Sequence, residues 1–132
     1  MVVRSVERDL VQIVLALCGI VGPVLFAPVI AVFGLVQEDY SHAKYEISQL
    51  GATRALNAWI QNVNFVLTGL LIIAFVVGLY RAVGTDKAGK VGFTLPLLVG
   101  IGVAAAGVFP EDMIPLPPEP TLSDIMHDVS SL

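Results

Sequence analysis

Three long stretches without a charged residue set the strongest limit on how this chain can fold. Positions 10–37, 55–80 and 91–110, of 28, 26 and 20 residues, contain no Asp, Glu, Lys, Arg or His. A helix needs roughly 20 apolar residues to cross a bilayer, whereas a soluble helix of this length would carry a charged face. Of the 132 residues, 56% are hydrophobic and only 14% are charged. We therefore predict an all-α integral membrane helical bundle.

The pattern predicts a single membrane domain over residues 1–132 with three transmembrane helices, at about 11–36, 55–80 and 91–109. An outer loop over 37–54 connects helices 1 and 2. A second, proline-rich outer loop over 110–120 follows helix 3. Hydroxyl and carboxylate groups from Thr121 to Asp124 then suit a helix start. The short C-terminal helix that follows is interpreted either as the truncated start of a fourth membrane helix or as a helix lying on the surface.

The distribution of Lys and Arg predicts the orientation, because positive charge favours the cytoplasmic side. With the N-terminus inside, five of these residues lie on the inner side and two on the outer side. The inner residues are Arg4, Arg8, Arg81, Lys87 and Lys90, and the outer ones are Lys44 and Arg54. We expect a multi-pass protein of the plasma membrane with a cytoplasmic N-terminus. The net charge of −4 argues against nucleic acid as a partner.

The first outer loop is predicted to contain a short interfacial helix, capped by Asp39 or Ser41 and ended by Gly51. On such a helix His42, Glu46 and Gln49 share one face, since they are spaced i, i+4, i+7. The face is interpreted either as a ligand or metal site or as a solvated polar surface.

Helix 2 carries a polar stripe in its outer half, where Asn57, Gln61, Asn64 and Thr68 are spaced i, i+4, i+7, i+11. Amides are costly in hydrocarbon unless they find partners, so the stripe must face other helices or a wet cavity. The stripe is interpreted either as a source of hydrogen bonds between helices or as the wall of a cavity open to the outside.

A third polar group lies on the same predicted side, at the end of helix 3 and in the last segment. The ligand-binding candidates of the three groups are His42, Glu46, Ser48, Asn57, Gln61, Asn64, Asp112, His127 and Asp128. His42, His127 and Asp128 form the alternative metal set, because zinc prefers such ligands. Their spacing matches no metal motif, so neither a metal nor a cofactor is expected.

Several short motifs resemble the DUF998 family of multi-pass membrane proteins of undetermined function. They are Tyr40-Ser41-His42, Ile47-Ser48-Gln49-Leu50-Gly51-Ala52, Gly107-Val108-Phe109-Pro110-Glu111-Asp112 and His127. The resemblance implies about six helices in the whole protein, of which this chain would be the N-terminal half. It also implies that the first loop, the end of helix 3 and the histidine segment belong together. Gln49 departs from the family pattern, which has an acidic residue there.

Three functional hypotheses remain open at this point. The first is a non-enzymatic membrane protein whose outward-facing polar cluster binds a lipid headgroup or a small solute. The alternative is a membrane-embedded, metal-dependent lipid hydrolase that uses His42, His127 and Asp128. The third is half of a transporter, although no charged residue lies at mid-membrane. The expected partners are the lipid bilayer and either a second copy of the chain or missing C-terminal helices.

Overall fold

A computed structural model describes residues 2–38, 40–83, 87–112 and 119–131 of the chain. These residues form four α-helices and one 3-10 helix, and the described part of the chain contains no strand. The α-helices are α1 (Val2–Val36), α2 (Ala58–Val83), α3 (Lys87–Val108) and α4 (Leu122–Ser131), and the 3-10 helix is Ile47–Gly51. The all-α fold is thus confirmed. The predicted cap Asp39, the proline-rich positions 113–118 and Leu132 lie outside the described residues.

Successive α-helices run antiparallel, and α2 packs against both α1 and α3. The rings of Phe26 and Phe65 lie 5.6 Å apart near one end of α1 and α2. Those of Tyr80 and Phe93 lie 5.5 Å apart where α2 ends and α3 begins. Helix α4 packs back along α3. We call the end of the bundle where α1 ends, α2 begins and α3 ends the polar end.

Small residues allow α2 and α3 to approach closely. A Cβ added at Gly69 would lie only 2.5 Å from the backbone nitrogen of Ala104 and 2.5 Å from the carbonyl oxygen of Gly100. A Cβ at Gly107 would lie 2.4 Å from the carbonyl oxygen of Asn62. The two backbones are therefore in direct contact over the C-terminal half of α3.

The first loop differs from its prediction, because it contains no α-helix through His42 and Glu46. The amides of Lys44 and Tyr45 both donate to Ser41 O, which closes a turn. Glu46 then adopts an extended backbone, with φ −71° and ψ 154°, before the 3-10 helix begins. An extended residue interrupts the i to i−4 ladder that an α-helix needs. The predicted shared face of His42, Glu46 and Gln49 therefore does not form.

The helix boundaries also differ from their predicted positions. Helix α1 starts at Val2 and continues through Pro23 and Pro28. Helix α2 starts at Ala58 rather than at position 55, because Asn57 has a left-handed backbone with φ 55°. Asparagine is one of the few residues that tolerate this conformation.

Two of the helices are long and apolar enough to cross a membrane, which suggests a membrane protein. They are Glu7–Val36 and Ala58–Val83, while the apolar stretch Gly92–Val108 is shorter. In their most apolar windows only 11% and 28% of the residues are buried inside the chain. The core helix of a soluble protein would be mostly buried, so these two helices present their apolar side chains outward.

Candidate functional site

The interior of this bundle is more polar than apolar. Among the described residues the buried apolar side chains are Leu50, Ala52, Val76 and Ala106. The buried polar ones are Gln49, Gln61, Asn64, Thr68, Asp112, Asp124 and His127. Most of these polar residues lie at the polar end, whereas large apolar side chains are exposed along α1, α2 and α3. Burying so many polar groups is unfavourable unless each finds a hydrogen bond.

Asp112 and Asp124 join the end of α3 to the start of α4. The backbone N–H of Asp112 donates to Asp124 Oδ1 at 2.9 Å, and the N–H of Thr121 donates to Asp112 Oδ2 at 3.0 Å. Thr121 Oγ1 accepts from the Asp124 N–H at 3.2 Å, which is the predicted N-cap of this helix. Ser123 Oγ adds a hydrogen bond to Pro110 O at 2.8 Å. Both aspartates therefore have a structural role.

His127 caps the other side of the same junction. Its Nδ1 lies 2.8 Å from Phe109 O and 3.3 Å from Ala106 O. Since both partners are carbonyl oxygens, Nδ1 carries the proton and donates. These carbonyls belong to the last turn of α3 and to the residue after it, where a helix leaves its acceptors without partners. The buried imidazole thus completes the end of α3.

Glu111 and Gln49 connect the end of α3 to the 3-10 helix. Gln49 Nε2 donates to Glu111 Oε1 and also approaches Asp112 O at 3.5 Å. The backbone N–H of Thr53 donates to Glu111 O at 3.0 Å. An acidic residue at position 49 would place a second carboxylate against Glu111, so the amide suits this chain better. Sequence reasoning placed Gln49 on a polar face with His42 and Glu46 and did not include Glu111 among the candidates, because only the tertiary contact pairs Gln49 with Glu111.

Two buried polar groups beside the 3-10 helix have no hydrogen-bond partner. Gln61 is 0% exposed, and neither its Oε1 nor its Nε2 is paired. Glu111 Oε2 is the other unpaired group. Gln61 Cγ lies 3.6 Å from the position that a Cβ on Gly51 would occupy, so the side chain extends from α2 toward the 3-10 helix that carries Gln49. These three atoms therefore have hydrogen-bond capacity that no described residue uses.

Among the other residues of the polar stripe on α2, Asn64 is hydrogen-bonded to another helix. Asn64 Nδ2 lies 3.4 Å from Phe26 O of α1, and Thr68 is buried. Asn57 is exposed and lies outside the stripe, since its left-handed backbone precedes the helix. Gln61 therefore differs from its neighbours in having no partner.

The other predicted candidates lie apart from this site. His42, Glu46 and Asp128 are exposed, and Ser48 is half-buried. The His42 ring packs against Gly34 of α1 and lies 5.0 Å from the Tyr40 ring. Burial raises the pKa of the Tyr40 phenol above its ordinary value of 10.0, so its hydroxyl is protonated at neutral pH and donates to Glu46 O at 3.3 Å.

The predicted metal set of His42, His127 and Asp128 does not come together. His42 packs on α1, His127 is buried against α3, and Asp128 faces outward from α4. Over the ranges that the structure describes, no group of three or more His, Cys, Asp or Glu side chains is arranged to hold a metal ion. His42, His127 and Asp128 are therefore not grouped at one place in the described part of the chain.

The fold and the buried polar network define an all-helical chain with apolar outer surfaces and a polar cluster at one end of the bundle. A family model described as "Protein of unknown function (DUF998)" matches residues 20–132. The chain belongs to this family, as its motifs indicate. No curated protein and no solved structure matches it significantly.

Proposed function

We propose that the chain is an integral membrane protein that crosses the bilayer three times, with its N-terminus in the cytoplasm and its polar end outside. The low burial of α1 and α2 supports a lipid environment for both helices. Helix α3 has 22 residues and packs antiparallel to α2, so it passes through the same layer. Its apolar stretch, Gly92–Val108, lies at the short end of the roughly 17–25 residues that a membrane-spanning helix needs. The excess of Lys and Arg at the opposite end supports the orientation.

We further propose that the polar end binds a lipid headgroup or a small polar solute. The observation that carries this proposal is Gln61, a fully buried amide without a hydrogen-bond partner in a network where its neighbours are paired. An unpaired buried polar group costs about 1–3 kcal/mol. A bound ligand that supplies the missing donor and acceptor offsets that cost, and so explains why the amide is there.

An apolar groove favours a lipid among these ligands. The groove has a volume of about 410 Å³ and follows α3 from Leu95 to Ala106, beside Ser130 of α4. Ala106 lies at its polar end, where the carbonyl oxygen faces His127. An acyl chain in this groove would place its headgroup at the level of the buried polar network.

The test is ligand-induced stabilisation of the purified full chain in detergent. A ligand that binds only the folded state raises the melting temperature. We expect at least one member of a panel of zwitterionic, anionic and amine-bearing lipids and solutes to do so for the wild type. The same ligand should have no effect on Gln61→Leu, which removes both unpaired atoms. Gln37→Leu, at the end of α1, is the matched control and should respond like the wild type.

If no compound in the panel shifts the melting temperature of the wild type, the binding proposal is wrong. The same conclusion follows if Gln61→Leu responds fully. In either case Gln61 would not be a ligand-binding residue.

A further inference from the structure

We propose that the group bound at the polar end is a primary ammonium, held by Glu111 Oε2 and Gln61 Oε1, with an oxygen of the same ligand accepting from Gln61 Nε2. The inference rests on the proposed binding function and specifies its ligand class. Two observations support this inference: the polar end is negatively charged, and some of its buried polar atoms have no hydrogen-bond partner.

The charge of the network is negative. Glu111, Asp112 and Asp124 all take part in it, and their donors are backbone N–H groups and the Gln49 amide. Lys44 and Arg54, the basic residues of the first loop, are both exposed. Among the described residues, no Lys or Arg joins these hydrogen bonds. A cationic ligand is therefore electrostatically complementary to the site.

The unpaired atoms define the ligand more closely. Asp112 Oδ2 and Asp124 Oδ1 each accept from a backbone amide, whereas Glu111 Oε2 is buried without any donor. A buried carboxylate oxygen gains most from a charged donor, which makes a shorter and stronger hydrogen bond than a neutral one. Gln61 Oε1 requires a second donor, and Gln61 Nε2 requires an acceptor.

A primary ammonium has three N–H donors, which is enough for both unpaired acceptors. A quaternary ammonium has none, and proteins bind it instead through aromatic faces. The tyrosines near the polar end do not offer such a cage, because Tyr40 packs against His42 and Tyr45 in the first loop. The ligand must also carry an oxygen close to its nitrogen, as an ethanolamine unit does.

Two sources of this chemistry are distinguishable: an ethanolamine headgroup of a phospholipid and a free amino alcohol. The experiment uses the full chain, delipidated in detergent, with phosphatidylethanolamine, phosphatidylcholine and phosphatidylglycerol of identical acyl chains. Free ethanolamine and free choline form the second arm. The dissociation constant of each probe is measured by titration, with native mass spectrometry to count bound lipids.

We expect phosphatidylethanolamine to bind at least about tenfold more tightly than phosphatidylcholine, because the quaternary ammonium of phosphatidylcholine has no N–H to donate and the loss of one charged hydrogen bond exceeds the ~1.4 kcal/mol that corresponds to tenfold. Glu111→Gln should remove this preference and yet leave the fold intact, because its carboxamide oxygen still accepts from Gln49. Glu119→Gln, an exposed acidic residue beyond α3, is the control and should keep the preference.

The binding results distinguish the source of the ligand, the ammonium inference and the binding function from one another. Binding of phosphatidylethanolamine alone identifies a lipid headgroup, and competition by free ethanolamine but not by choline identifies a small amine as sufficient. If phosphatidylcholine or phosphatidylglycerol binds as tightly and Gln61→Leu abolishes that binding, the ammonium inference is wrong and the binding function stands. If none of the probes binds, the ammonium inference fails, and the wider panel above decides the binding function separately.

Discussion

At the scale of single residues, Gln61 shows what a sequence pattern can and cannot predict about a buried side chain. Its spacing from Asn57, Asn64 and Thr68 is sufficient to predict that it faces the interior, and the structure buries it completely. The spacing does not reveal that Asn64 finds a carbonyl of α1 while Gln61 finds nothing. That difference depends on the exact position of the neighbouring helix, which is a property of the tertiary packing.

The unpaired amide leads to a stability prediction that separates binding from a structural role. In the delipidated protein, Gln61→Leu should raise the free energy of unfolding by about 1–3 kcal/mol, because an apolar side chain of similar size removes an unsatisfied buried group. Thermal unfolding in detergent measures the change, with Gln37→Leu as the control. A lower melting temperature for Gln61→Leu would mean that the amide is hydrogen-bonded in the folded protein.

Glu111 is the residue that sequence reasoning left out. Pro110 and Asp112 flank it in a motif that resembles the family, but that resemblance implies no role for a carboxylate at this position. Its importance arises from Gln49, 62 positions away, which donates to it. A contact at such a separation leaves no periodic signal in a single sequence.

At the scale of elements, helices are easier to predict than the loop between them. The charge-free stretches predict α1, α2 and α3, because a helix pairs the N–H and C=O groups of an apolar segment within the segment itself. The first loop has no such constraint. The extended backbone of Glu46 and the 3-10 helix from Ile47 to Gly51 form because Gln49, Gly51 and Thr53 find partners in α2 and beyond α3.

Packing between α2 and α3 leads to a second prediction. Gly69→Ala should destabilise the bundle by roughly 1–3 kcal/mol, because the new methyl group meets backbone atoms that cannot rotate away. Gly92→Ala, on α3, is the matched control: nothing lies within 4 Å of its Cβ position. Unfolding in denaturing detergent measures both variants. Equal stability of the two proteins would contradict the close approach of the helices.

At the scale of the whole molecule, the proposed topology places positions 83 and 119 on opposite sides of the membrane, since α3 lies between them. In a Cys18→Ala background, Glu119→Cys should react with a membrane-impermeant maleimide in intact cells. Val83→Cys should react only after the membrane is permeabilised. The reverse pattern would invert the orientation, and labelling of both positions from one side would show that α3 does not cross.

The polar interior of this bundle has a consequence for how the chain tolerates mutation. In most globular proteins random substitutions are least tolerated at large apolar positions, because those form the core. Here the apolar side chains of α1 and α2 mostly face outward, and the interior positions are amides, carboxylates, an imidazole and glycines. A saturation scan should therefore show free exchange among Leu, Ile, Val and Phe over much of the helical surface. The positions that tolerate substitution least should be the buried polar ones, which in most globular proteins lie on the surface and are readily substituted.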